Sequence, residues 1–116
     1  MPSEWERCAP WIGAAIKGAG LPLERVAEGV ERGEFRLWAH PQGVIVTEFV
    51  VSPRSLGLNM FAGGGSAVAM WALLPTIEAF AKASGCDSIG VTGRKGWRRA
   101  LKAFGYAPAD TIIKEI

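Results

Sequence analysis

The run Val44-Ile45-Val46-Thr47-Glu48-Phe49-Val50-Val51 constrains this chain more than any other segment. Its β-branched side chains crowd a helix but pack well on a pleated surface, so the run reads as a strand. Phe35 to Trp38 reads as a strand before it, and His40-Pro41-Gln42-Gly43 as the turn of an antiparallel hairpin. Ser52-Pro53 ends the run. Leu56, Leu58 and Met60 then alternate as a third strand that leads into a glycine-rich loop, Ala62-Gly63-Gly64-Gly65-Ser66.

The flanks carry helical spacing instead. Ser3 and Glu6 fit a capping box, and Trp5, Cys8, Ala9, Ile12 and Ile16 recur every three or four residues, with Pro10 expected to kink or split that helix. Gly18 and Gly20 end it; Pro22 opens a second helix along Leu23, Val26, Ala27 and Val30, stopped by Gly33. Ser66 is placed to cap a long helix reaching about Ser84, bent at Pro75, with Gly85 as its stop. Ser88 to Thr92 is a short strand. Trp97, Ala100, Leu101 and Phe104 mark a last helix ended by Gly105, and Thr111 to Ile116 a closing strand. The order predicts one α/β (α+β) domain over residues 1–116, a mixed and mostly antiparallel sheet flanked by about four helices.

Composition narrows the function classes. With 116 residues, 49% of them apolar, the chain can bury a core without metal or disulfides. Cys8 and Cys86 form no CxxC pair and His40 is the sole histidine, so no metal site is expected and both thiols read as reduced and structural. A lone histidine also leaves Ser52 and Ser66 without a Ser-His-Asp partner set. No apolar run is long enough for a membrane span, which points to a soluble intracellular protein. A net charge of +2 gives little ground for a nucleic-acid partner.

Three features can carry chemistry. Gly63, Gly64, Gly65 and Ser66 stand between a strand and a helix, where backbone N–H groups and the helix dipole suit a pyrophosphate; three glycines equally permit a plain tight turn. Arg94, Lys95, Arg98, Arg99 and Lys102 put five positive charges on one helical face, either an anion site or a solvated surface. Glu48 interrupts the Val-rich strand, as a candidate general base or as the outward residue of a one-sided strand. Of five tryptophans, Trp11 and Trp38 are candidate interface anchors, although core packing explains most of the set.

The element order, the glycines before the long helix, and Ser88-Ile89-Gly90-Val91-Thr92 followed by a helix ending Phe104-Gly105-Tyr106 resemble the GNAT-type N-acetyltransferase superfamily over nearly the whole chain. Leu74-Pro75-Thr76-Ile77-Glu78-Ala79-Phe80-Ala81, Gly85-Cys86-Asp87 and Gly93-Arg94-Lys95-Gly96-Trp97 are similar to small GNAT-like proteins of tailed phages and prophages. The resemblance implies acetyl-CoA as cofactor, with its pyrophosphate on Gly63 to Ser66 and a CoA phosphate near Arg94 or Lys95. It implies Glu48 as the base that deprotonates a small-molecule or protein amine. The superfamily's leading Arg or Gln before the glycines is absent, and Leu101 stands where its general-acid tyrosine falls. The alternative it leaves open is a non-catalytic phage virion or assembly protein that uses the fold to bind phage or host proteins, cytoplasmic in a bacterial host or carried in the virion.

Overall fold

The computed structural model describes residues 4–17, 20–92, 101–102, 104–106 and 112–115. Helices α1 (Glu4–Ile16) and α2 (Leu23–Arg32) lead into strands β1 (Phe35–His40), β2 (Gly43–Ser52) and β3 (Ser55–Gly65). Helix α3 (Ala67–Ala83) then crosses to β4 (Ser88–Val91), and β5 (Ile112–Glu115) follows. The five strands form one sheet in the order β1-β2-β3-β4-β5. Among the described strands only β3 and β4 pair in parallel and the other neighbours are antiparallel, in keeping with the mixed, mostly antiparallel sheet that the sequence predicts.

Local chemistry sets most of the element ends. Gly33 closes α2 at φ 81°, a left-handed conformation that glycine adopts without a Cβ penalty. Past α3, Gly85 N–H donates to Lys82 O at 3.1 Å and Cys86 N–H to Ala81 O at 2.9 Å, the paired bonds of a Schellman stop. The same pair recurs where the last helix is expected to end, with Gly105 N–H on Lys102 O at 3.2 Å and Tyr106 N–H on Leu101 O at 3.3 Å. Ser3, Gly18 and most of the basic segment, including Arg94, Lys95, Arg98 and Arg99, lie outside the described residues. Neither Pro10 nor Pro75 splits its helix.

Both hairpin turns hold two residues, Pro41-Gln42 and Pro53-Arg54. No described residue other than glycine has positive φ, so neither is the primed turn usual for such hairpins. The first turn is braced instead. His40 Nδ1 accepts the Gln42 N–H at 3.1 Å, and Arg7 of α1 donates to His40 O at 2.9 Å and Pro41 O at 3.1 Å.

Two apolar layers sandwich the sheet. Cys8, Ile12, Ile16 and Val26 from α1 and α2 pack on Val44, Val46 and Ala62. On the opposite face Met70, Leu74, Ile77 and Ala81 of α3 pack on Trp38, Ile45, Leu58, Met60, Ile89 and Val91, together with Leu101 and Tyr106. Cys8 and Cys86 sit in different layers as free thiols, and burial pushes both up in pKa.

The expected glycine loop is corrected: β3 runs through Gly65, so the glycines are strand residues paired with β2 as Ile45↔Gly63, Val44↔Gly64 and Gly43↔Gly65. Packing explains two of them. A Cβ on Gly64 would meet Trp11 Cβ at 2.8 Å, and Gly65 has φ 90° with Gln42 O against the place of its missing Cβ. Glycine here admits α1 onto the sheet and turns the chain into α3.

Candidate functional site

The site arises where β3 outruns its neighbour. Among the described residues β4 pairs with β3 from Gly57↔Ser88 to Met60↔Val91, and Thr92 N–H on Met60 O at 3.0 Å is the last bond described between them. Directly beyond, the β2–β3 register passes from Thr47↔Met60 to Val46↔Ala62, leaving Phe61 as an extra residue. Such a bulge bends its strand and raises the local twist. From Phe61 to Gly65 no described residue pairs with the edge of β3 that faces away from β2.

That open edge leads straight into the start of α3. Ser66 caps the helix, its Oγ accepting the Ala69 N–H at 3.4 Å, while its own N–H donates to Gln42 O at 2.8 Å. The N–H groups of Ala67 and Val68 fall in the first turn, which has no intrahelical acceptor, and both residues are exposed. Donors for an anion are thus those of Ala67 and Val68 with the Ser66 hydroxyl.

Glu48 lies on the face that carries α1 and α2, in the part those helices leave uncovered, and is half-buried. Asn59 of β3 donates from Nδ2 to Glu48 Oε1 at 3.5 Å and to Thr92 Oγ1 at 3.2 Å. The Thr92 hydroxyl stands 3.3 Å from Asn59 Oδ1, to which it can donate. A polar row therefore crosses β2, β3 and β4, beginning on the carboxylate that the sequence singles out. Asn59 and Thr92 carry no sequence signal of their own; only the parallel register of β3 with β4 brings them to Glu48.

Two cavities of about 250 Å³ each flank this row. One lies over β3 and β4 and is lined by Asn59 and Thr92; the other opens beside the start of β1, where Glu48, Phe35 and Phe49 line it with Phe80 of α3. Near it the Arg36 guanidinium lies 4.6 Å from the Phe80 ring and 4.9 Å from the Trp38 ring.

The remaining candidates fall as follows. Leu101 is fully buried in the α3 layer. Tyr106, the chain's one tyrosine, is also buried and donates to Glu78 Oε1 at 3.4 Å, away from Glu48. Trp38 is core, its Nε1 donating to buried Thr47 Oγ1 at 2.9 Å, and Trp11 packs over Gly64. His40 braces a turn at the other end of β2 from Glu48.

No family model matches the sequence, and no curated protein does either. Solved structures do resemble the fold. The crystal structure of a probable acetyltransferase aligns with a TM-score of 0.69 at 10% identity, covering 87% of this chain and 82% of that one. Wild-type TTHA1254 from Thermus thermophilus aligns with a TM-score of 0.58 at 21% identity, over 87% of this chain and 85% of its own. Likeness at such identities concerns the fold, and the chain has an acetyltransferase-like, GNAT-like α+β fold.

Proposed function

We propose that this chain binds acetyl-CoA and transfers its acetyl group to an amine. The observation that carries the reading is the edge of β3 from Phe61 to Gly65, which no described residue pairs and which ends at the start of α3. Backbone N–H and C=O groups along an unpaired edge suit an extended, amide-bearing arm, and a helix start suits a pyrophosphate at the end of that arm. The residues present therefore fit the ligand. Ala67, Val68 and Ser66 would hold the pyrophosphate, with Gly63 to Gly65 as the strand beside the arm. Arg94 or Lys95 would meet a CoA phosphate.

When bound, acetyl-CoA supplies an acetyl thioester whose C–S bond is exchanged for a C–N bond with release of the thiol. Glu48 takes a proton from the incoming ammonium, directly or through one water, and so frees the nitrogen lone pair. Asn59 holds that carboxylate through Nδ2, and Thr92 holds Asn59. Leu101 offers no hydroxyl to the leaving sulfur, so water delivers the second amine proton there. Holding the two reactants together supplies much of the rate, which makes a general acid dispensable.

The test is thermal unfolding with and without millimolar acetyl-CoA or CoA, since a ligand bound to the native state raises the midpoint. A rise of several degrees is expected. It should shrink in Ala67→Pro, which deletes one N–H at the first helical position. Proline is tolerated there, and Ser66 already has the extended ψ of 133° that proline demands of its predecessor. No shift with either ligand overturns the reading and leaves the interaction-module role that the phage resemblance implies.

A further inference from the structure

We infer that the cavity over β3 and β4 is the acceptor subsite and that it takes a small hydroxylated primary amine without phosphate or carboxylate, of the amino-sugar type. The inference rests on the acetyl-transfer reading only for what becomes of the amine; recognition is argued from the cavity alone.

The floor comes first. Across the parallel pair, Gly57 stands opposite Ser88 and Asn59 opposite Gly90, so on this face each polar side chain has a glycine for its neighbour. The glycines cut a recess into an otherwise pleated surface. A Cβ at Gly57 would lie 3.3 Å from Ser88 Oγ, so glycine there is what leaves the serine hydroxyl uncovered. At about 250 Å³ the recess is below the usual range for drug-sized ligands, which suits a single ring rather than a chain.

The lining sets the chemistry. Ser52, Ser55 and Ser88 surround the recess with hydroxyls that bond no described residue, and Asn59 and Thr92 close its inner end. Val50 is the main apolar wall, and none of the lining residues with described side chains is charged. Among the described side chains, a ligand phosphate or carboxylate would meet one carboxylate, Glu48, just past Asn59. An apolar amine would make no use of the hydroxyls. A hydroxylated ring can bond to the half-buried Ser88 and Asn59 and to the exposed Ser52 and Ser55 while it points an ammonium at Glu48.

Titration calorimetry of the full chain with glucosamine, in the absence of acetyl-CoA, tests this directly. Glucosamine should bind. Glucosamine 6-phosphate, N-acetylglucosamine and spermidine should each bind at least about tenfold more weakly, a difference of about 1.4 kcal/mol. Ser88→Val should weaken glucosamine by a similar factor while the acetyl-CoA melting shift is kept; Ser52→Ala, at an exposed position, is the second variant should the first fold poorly. Tighter binding of the phosphate or of spermidine overturns the inference. So does an acetyl-CoA shift without any glucosamine binding, which leaves the transferase reading standing. Glucosamine binding without an acetyl-CoA shift supports the subsite and sinks the transferase reading instead.

Discussion

Gly64 of β3 and Trp11 of α1 touch through the place where a side chain would be: a Cβ on the glycine would lie 2.8 Å from Trp11 Cβ and 3.0 Å from its carbonyl oxygen. Both of those atoms are tied to the α1 backbone, so they cannot swing aside as a flexible side-chain tip would. Gly64→Ala is expected to destabilise the fold by about 1–3 kcal/mol, the usual cost of overpacking. A urea unfolding midpoint lowered at unchanged slope would show it, and an unchanged midpoint would refute it.

Thr47 is fully buried and its hydroxyl accepts the Trp38 indole N–H at 2.9 Å. Thr47→Val keeps the shape and strands that donor, which costs about 1–3 kcal/mol. Thr47→Ser should restore most of the difference in chemical denaturation. Equal stability of the valine and serine variants would show that the bond carries nothing.

Burial raises the Tyr106 hydroxyl well above its ordinary pKa of 10.0, and the nearby Glu78 carboxylate adds to the rise. The folded state therefore holds this proton more tightly than the unfolded chain does. Its contribution to stability is complete below the ordinary tyrosine pKa and is lost as the pH climbs toward the raised value. Tyr106→Phe should remove that alkaline loss, and melting curves collected above about pH 10 on both proteins would reveal whether it does.

Glu34 moves the other way. Its hydrogen bond and ion pair with Arg25, at 2.6 Å, hold its carboxyl below the ordinary value. The contribution is present above the unfolded carboxylate pKa and is lost as pH falls through the depressed one. Glu34→Gln should flatten the acid limb of stability slightly, because both partners are well exposed to solvent. Identical melting points for the two proteins at neutral and at acid pH would remove the pair from consideration.

If acetyl transfer is the activity, Glu48→Gln should lower kcat by about 10²–10⁴-fold with acetyl-CoA binding retained. Asn59→Leu should also lower kcat, by less, and shift the pH–rate profile, since it changes the surroundings of Glu48 without removing it. An Asn59 variant with an unaltered profile would reduce its part to packing.

Local chemistry was readable in advance and tertiary chemistry was not. Pro22, Gly33, Ser66 and Gly85 mark helix ends through their own backbone preferences, and the structure keeps all four where the sequence puts them. The hairpin around Pro41 was legible for the same reason. Gly63 to Gly65 were legible as unusual backbone, yet their use depends on Trp11 and Gln42, which no local pattern ties to them. The bulge at Phe61 left no trace, because Met60, Phe61 and Ala62 are all apolar and hide the break in alternation. Glu48 stood out as a charge among valines. Asn59 and Thr92 joined it only through the register of β3 on β4, and Arg94 and Lys95 lie outside the described residues.

The single parallel pair also orders events in time. Strands β1, β2 and β3 follow one another through two-residue turns, so their ladders close short loops and cost little chain entropy. Strand β4 can dock only after α3 has carried the chain back across the sheet. A chain emerging from the ribosome can thus finish the meander and seat α1 on it before β4 exists. The polar row from Glu48 to Thr92, which needs β4, is assembled after the meander, so whatever that row does is among the later properties the nascent protein acquires.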